Sequence, residues 1–163
     1  MVAHLSHTFP TLPCAIPRLS VVLPSLQTLA KKMAGINIAS FNTQGAYGWM
    51  SARPMSNNGE VEYDGTSYYF AFEDSSVVKD IRRDDKVALA FENGKGLYVT
   101  VKGKATLTED KARMVEHWTP ALYEWFKDGV ETEGVVMIQV DARHIRYWDT
   151  SGGQMDMGEI DLK

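Results

Sequence analysis

Two short segments contain the side chains best suited to chemistry, an arginine on a strand-like stretch and a serine pair ahead of a lysine. Arg53 lies within residues 47–55, which alternate with the two-residue period of a strand. The second segment opens a short helix whose N-cap is Asp74, Ser75 or Ser76, and Lys79 follows within about its first turn. A cation that faces hydroxyls and free N–H groups at a helix start suits a phosphate monoester, because the helix dipole favours a dianion. The pattern therefore predicts a site for a small phosphorylated cofactor.

Composition limits the class of protein. The 163 residues, with 44% hydrophobic and 23% charged side chains, are typical of one globular domain with a real core. The net charge of -4 and the short basic clusters argue against a nucleic-acid partner, because no Lys/Arg stripe is available to displace phosphate counterions. The apolar run 19–23 is too short to span a bilayer, so we expect a cytoplasmic protein that does not bind membranes.

Residue types that bind metals are sparse. Cys14 is the single cysteine, which excludes an internal disulfide framework and a cysteine-rich zinc site. The four histidines are scattered, and no pair has the spacing of a helical metal motif. We therefore expect no metal ion.

The N-terminal segment differs in character from the rest. Residues 1–24 contain no acidic side chain and have prolines at four positions, which prevents a long helix or a central strand. We expect an unstructured extension, with a transit segment or a start codon assigned too far upstream as the open alternatives. The domain then covers residues 25–150, and residues 151–163 form a C-terminal tail.

Residues 25–150 predict hairpins interrupted by short helices. The predicted helices cover 25–33, 76–83 and 108–126, the last capped by Thr108 and restarted at Pro120. The predicted strands cover 36–41, 47–55, 67–72, 86–91, 97–107 with a bulge at Gly103, 135–140 and 145–148, and residues 42–45 form the first turn. Without regular βαβ alternation, this order predicts a mainly β protein, a closed or nearly closed antiparallel barrel with peripheral helices.

Several separated motifs give the chain a resemblance to a known family. The motifs are Arg53-Pro54-Met55, Tyr69-Phe70-Ala71-Phe72, Ser75-Ser76 with Lys79, residues 99–105, Trp118 with residues 125–129, and Tyr147-Trp148-Asp149. Their shared order and spacing over residues 26–149 resemble the general stress protein branch of the pyridoxamine 5′-phosphate oxidase-like superfamily. The resemblance implies a split β-barrel that binds FMN at the interface of a homodimer.

The resemblance also implies which residues contact the cofactor. By position, Arg53 and Lys79 would hold the phosphate, with help from Ser75 or Ser76. The residues that would line the flavin, partly through backbone atoms, are Pro54, Met55, Phe70, Ala71, Phe72 and Trp148.

Ordinary structural roles are open to the same residues. Arg53 could be an exposed ion-pair partner of Glu60 or Glu62, and Lys79 could be a solvated helix residue. The apolar residues would be buried in any barrel, and Trp148 lies in a strand where core packing is the common role.

The reaction is less defined than the cofactor. The last twelve residues contain no arginine, whereas classical members of the family end with an arginine-containing segment that helps to bind substrate. Oxidation of a vitamin B6 phosphate is therefore not expected. Flavin chemistry needs no protein acid or base, so no catalytic residue is assigned. Two functions stay open, an FMN-dependent oxidoreductase acting on a small molecule and a non-catalytic protein that binds, stores or senses flavin.

Overall fold

The computed structural model describes residues 25–57 and 61–162. The strands are Ile38–Gln44 (β1), Met50–Ser56 (β2), Thr66–Phe72 (β3), Lys86–Glu92 (β4), Leu97–Thr108 (β5), Val135–Asp149 (β6) and Asp156–Asp161 (β7). The helices are Leu26–Met33 (α1), Ser76–Arg83 (α2) and Lys111–His117 (α3), and short 3₁₀ turns cover Ala46–Gly48, Pro120–Glu124 and Gly129–Glu131. The prediction made for residues 1–24 lies outside the described residues.

All strand pairs are antiparallel, and the main path through the sheet runs β2-β1-β4-β5-β6-β3, with β7 added beside β6. Phe41 of β1 and Tyr69 of β3 lie four strands apart on this path, yet their rings meet edge to face at 5.1 Å. The sheet therefore curls around one core and brings its two end strands, β2 and β3, toward each other. The predicted fold class is confirmed as a mainly β, curled antiparallel half-barrel of the split-barrel type with a few helices.

Alternation of apolar and polar residues builds the core inside this curl. Along β5, Leu97, Val99 and Val101 are buried while the residues between them face outward. Helix α2 closes the barrel with Val78 and Ile81. A second, smaller cluster on the outer face of β3 joins that strand to α3 and to the residues after it; it consists of Phe70, Met114, Leu122, Phe126, Val135 and Met137.

The predicted bulge at Gly103 is confirmed. The register between β5 and β6 shifts between Lys102 and Gly103. A Cβ at Gly103 would lie 2.5 Å from the backbone oxygen of Asp141, so a side chain has no room there. The bulge lets β5 bend around the core and pair with β6 on both sides of the irregularity.

The first hairpin differs from its prediction. β1 continues to Gln44, so residues 42–44 are strand, and the turn lies at 45–49, where the Gly45 N–H donates to the Trp49 oxygen at 2.7 Å. Tyr47 was expected in β2 but has φ 62°, in the left-handed region. β2 therefore begins at Met50, three residues later than predicted.

Other boundaries also move. Thr108 ends β5 and does not cap the next helix; Asp110 caps α3 by accepting from the Ala112 N–H at 3.0 Å. The strands predicted at 135–140 and 145–148 are one continuous strand, because the polar residues between them alternate with buried Ala142 and keep pairing with β5. β7 was not predicted, since its sequence alternates weakly.

One ion pair joins α1 to the far end of β6. The Lys32 Nζ donates to the Asp149 Oδ2 at 2.7 Å, and the Ser151 hydroxyl donates to the same carboxylate at 2.6 Å. The contact with Lys32 has the larger effect on Asp149, and that with Ser151 the smaller. Together they hold the pKa of Asp149 at about 2. Only 9% of the Asp149 side chain is exposed, so screening by water is limited.

The free energy of unfolding should therefore still change with pH below the pH at which an ordinary carboxyl group titrates. Because the pKa of Asp149 is lower in the folded state, its contribution, on the order of 2 kcal/mol, is present above about pH 4 and is lost as the pH falls toward 2. Lys32→Gln should remove most of this dependence, whereas Lys31→Gln should not. Urea unfolding of the three proteins between pH 5 and pH 2 measures it, and parallel pH curves for all three would contradict the assignment.

Candidate functional site

Arg53 faces helix α2, as the sequence predicts, and meets a carboxylate there. Its guanidinium donates to the Thr43 Oγ1 at 2.8 Å and to the Asp80 Oδ2 at 3.3 Å. Thr43 in turn donates to Asp80 at 2.7 Å, and Arg83 lies 3.3 Å from the other carboxylate oxygen. The ion-pair partner of Arg53 is thus Asp80, whereas the sequence suggested Glu60 or Glu62.

Asp80 is the residue of this site that sequence reasoning did not place. It lies three residues after Val77 and one before Ile81, both buried, and only 6% of Asp80 is exposed. A carboxylate on the apolar face of a helix needs a buried cation and hydrogen bonds to offset its desolvation. That position within the helical period was a signal that Asp80 is buried and needs a cation, but it does not identify Arg53 as the partner.

The start of α2 leaves a polar group without a partner. Ser75 holds the N-cap position with extended backbone, but its side chain makes no capping hydrogen bond. The Ser75 Oγ is buried and has no partner among the described residues. Ser76 and Lys79 are exposed and lie one turn apart on the same side of the helix, and Ser76 is also one turn from Asp80. Arg53, Ser76 and Lys79 are therefore brought to the first turns of one helix.

These groups fit a phosphate dianion. Two cations, Arg53 and Arg83, contact the single carboxylate of Asp80, and Lys79 adds a third positive charge on the exposed side of the same helix. The orphaned Ser75 hydroxyl and the free N–H groups of the first helical turn add donors without charge. The guanidinium of Arg53 uses two of its nitrogens for Asp80 and Thr43 and retains further N–H groups for a ligand.

The remaining predicted cofactor residues lie on β2 and β3. These strands end the sheet, so within the described residues each has one edge without a strand partner. Pro54 and Met55 point to opposite faces of β2, outward and toward the core. On β3, Phe70 and Phe72 face outward, and Ala71 is in the core. Side chains on alternating faces cannot all contact one ring, so a flavin here would use the exposed backbone edges.

Trp148 lies apart from these residues. Val135 of β6 pairs with Phe72, and Trp148 follows thirteen residues later, about 40 Å further along the extended strand. Its half-buried ring lies beside Arg146, whose guanidinium carbon is 5.8 Å from the ring centroid. Trp148 thus lies at the opposite end of β6 from the residue that pairs with Phe72.

A cavity of about 300 Å³ opens beside β3. Its walls come from α1, the end of β2, the loop before β3, β3 itself and the end of α3; they include Tyr63, Ser67, Tyr68, Phe70, His117 and Trp118. The rings of Tyr68 and His117 stack with their centroids 3.5 Å apart. The sequence does not predict this cavity, because its walls are distant in sequence.

The curled antiparallel sheet defines the chain as a split-barrel protein. The chain belongs to the pyridoxamine 5′-phosphate oxidase like family, whose model matches residues 25–160. Solved structures agree with this fold. The general stress protein 26 of Bacillus anthracis superposes with a TM-score of 0.68 at 19% identity, covering 84% of this chain and 98% of that one.

A second solved structure also has a similar fold. The general stress FMN/FAD binding protein of Xanthomonas citri superposes with a TM-score of 0.65 at 21% identity, covering 76% of this chain and 87% of that one. At these identities the likeness shows a shared fold. No curated protein matches the sequence.

Two kinds of feature were not found in the part of the chain that the structure describes. No group of three histidine, cysteine or acidic side chains there is arranged to hold a metal ion. None of the described helices is both long and apolar enough to cross a membrane.

The Arg53–Asp80 contact gives Arg53 a role in folding that Lys79 lacks. We expect Arg53→Ala to lower the free energy of unfolding by about 2 kcal/mol, because Asp80 would stay buried with a weaker set of partners. Lys79→Ala, at an exposed position, should change it by less than about 0.5 kcal/mol. Urea unfolding of the flavin-free proteins measures both values, and equal losses would show that the buried pair does not stabilise the fold.

Proposed function

We propose that this protein binds FMN, with the phosphate at the start of α2 and the flavin against the free edges of β2 and β3. The buried and unpartnered Ser75 hydroxyl, at a helix start held against Arg53 through Asp80, is the observation that carries the proposal. A phosphate would supply the missing partner, and Lys79 would add charge at the rim. Membership of the family and the Xanthomonas citri relative support a flavin as the ligand.

When bound, FMN supplies the redox chemistry, and the chain's own residues supply position and environment. Arg53 is held by Thr43 and Asp80, so its remaining N–H groups have a fixed direction before a ligand arrives. Phe72, which is 41% exposed, presents apolar surface beside the free edge of β3 and would exclude water from one side of a ring. The chain therefore needs no further acid or base for binding and orientation.

We further propose an oxidoreductase that acts on a small molecule. The cavity of about 300 Å³ supports this, because its wall includes Phe70, one of the residues expected to line the flavin. A substrate could thus lie beside the cofactor. Reduction of the bound flavin by NAD(P)H, followed by reoxidation with an added acceptor, tests this function. A flavin that stays oxidised under these conditions would favour the non-catalytic binding, storage or sensing protein.

The proposed assembly is a homodimer with the flavin site shared between chains. The first hairpin exposes a run of large apolar side chains, with 98% of Tyr47, 77% of Trp49 and 68% of Met50 accessible. Monomeric proteins rarely expose such a patch. A second chain would cover it, and would also allow Trp148, at the other end of β6 from Val135, to approach the flavin of its partner.

Binding of FMN and riboflavin to Lys79→Ala tests the phosphate site. A charge-assisted contact to the dianion contributes about 1.5–3 kcal/mol, or roughly one to two decades of affinity. FMN affinity should fall by that amount and riboflavin affinity should stay unchanged, because riboflavin lacks the phosphate. Lys95→Ala, on the exposed turn between β4 and β5, is the matched control and should bind both ligands normally. Equal losses for both ligands in Lys79→Ala would argue against a phosphate contact.

The dimer can be tested at the first hairpin. The protein with FMN bound should have the mass of a dimer at micromolar concentration by analytical ultracentrifugation. Trp49→Ser should shift it toward the monomer and weaken FMN, whereas Trp125→Ser, at a position also 71% exposed, should leave both unchanged. A monomeric wild-type protein that retains its flavin would contradict the shared site.

A further inference from the structure

The cavity beside β3 contains buried polar atoms that have no partner. Among the described residues, five side-chain polar atoms are buried without a hydrogen bond, and three of them belong to its wall: Tyr63 Oη, Ser67 Oγ and Trp118 Nε1. Leaving a buried donor unpaired is destabilising, so native proteins rarely concentrate such groups in one place. A ligand that pairs with them would offset part of that destabilisation.

The three groups differ in the hydrogen-bond partners that they require. The indole N–H of Trp118 only donates, so its partner must be a hydrogen-bond acceptor. The hydroxyls of Tyr63 and Ser67 can donate or accept and lie close to each other. Burial raises the pKa of Tyr63, Ser67 opposes this effect, and Tyr63 stays protonated. A ligand with a carbonyl oxygen next to an N–H or O–H group matches this set.

The walls of the cavity are aromatic. Phe70 and the indole of Trp118 meet edge to face with their centroids 4.8 Å apart, and Tyr68 is stacked on His117. Planar apolar surfaces of this kind favour a planar ring. A volume of about 300 Å³ is at the lower end for small-molecule sites, so one ring with a short substituent fits.

The charges at the cavity are negative. Glu62, Asp64 and Glu116 line its rim, and no described lysine or arginine does. Burial and then the Asp64 carboxylate raise the pKa of the Tyr68 phenol, which shows that the rim charge acts on the wall. Arg113, one turn before His117, instead donates to Gln139 at 2.6 Å. An anionic ligand would meet three carboxylates in the lining, and the opposing charge nearby is Arg113, which acts to lower the pKa of the Tyr68 phenol.

We propose that this cavity binds an uncharged planar ring compound with a hydrogen-bond acceptor for the Trp118 indole, and that it rejects carboxylates and phosphates of the same shape. The assignment of this compound as a substrate rests on the proposed flavin function, whereas its binding does not. Trp118 is then the residue that determines specificity, through its N–H group.

Benzamide and benzoate form a matched pair of probes, because they have nearly the same shape and differ in charge. The ¹⁵N–¹H spectrum of the full-length protein resolves the indole N–H signals of its four tryptophans. The signal of Trp118 is the one missing in Trp118→Phe. Benzamide should shift this signal at concentrations around 1 mM, on the order expected for a ligand of this size. Benzoate should need at least tenfold more to give the same shift.

Variants distinguish binding of benzamide in the cavity from binding elsewhere on the protein. Trp118→Phe keeps an aromatic ring and removes the donor, so the affinity for benzamide, followed by saturation-transfer NMR, should fall about tenfold. Tyr63→Phe should weaken it at least threefold, which gives a second reading if Trp118→Phe folds poorly. Trp125→Phe, outside the cavity, is the control and should bind benzamide normally.

Three results would overturn the proposal: equal affinity for benzoate, shifts confined to the other tryptophans, or loss of benzamide binding when FMN is added to saturation. The last result would show that the cavity is part of the flavin site itself. Failure of the proposed function is distinguishable, because it would appear as an absence of FMN binding while benzamide still shifts Trp118.

Discussion

The buried carboxylate of Asp80 is the constraint on which the site depends. A carboxylate on the apolar side of a short helix is tolerated only when cations and hydrogen bonds surround it, and Arg53, Thr43 and Arg83 provide them. Because Arg53 belongs to β2 and Thr43 to β1, satisfying Asp80 fixes α2 against the first hairpin. The helix start is thereby held beside the two ends of the sheet. The same contact gives Arg53 its direction and makes this arginine both structural and available to a ligand.

The open ends of the sheet explain why a ligand site forms at this place. A closed barrel would pair β2 with β3, whereas here the path ends at both strands and leaves backbone donors and acceptors without strand partners. β3 also borders a second apolar cluster on its outer face, and the cavity with its unpaired Tyr63, Ser67 and Trp118 atoms adjoins the same strand. One strand therefore lies between the helix start of α2, the second apolar cluster and an aromatic-walled cavity with acidic side chains at its rim. This arrangement is consistent with a cofactor and a substrate lying side by side.

The sequence was most informative where a signal was local. Helix α2 has the predicted bounds, and Gly103 marks the bulge, because periodicity and a missing side chain are properties of neighbouring residues. The sequence was less informative where contacts between distant residues determine the local structure. The turn after β1 formed at Gly45 and not at Asn42, since pairing with β2 extends the strand to Gln44. Asp80 and the cavity walls could not be assigned, because their partners are separated by tens of residues and meet only when the sheet curls.

The most direct measurement of the central claim is the visible absorption spectrum of the purified protein, followed by chromatography of the ligand that heating releases. A phosphate site at the start of α2 predicts a yellow protein with flavin absorption bands, and a released flavin that carries the 5′-phosphate. A colourless protein that stays colourless after incubation with excess FMN, or a protein that retains riboflavin as readily as FMN, would contradict this account.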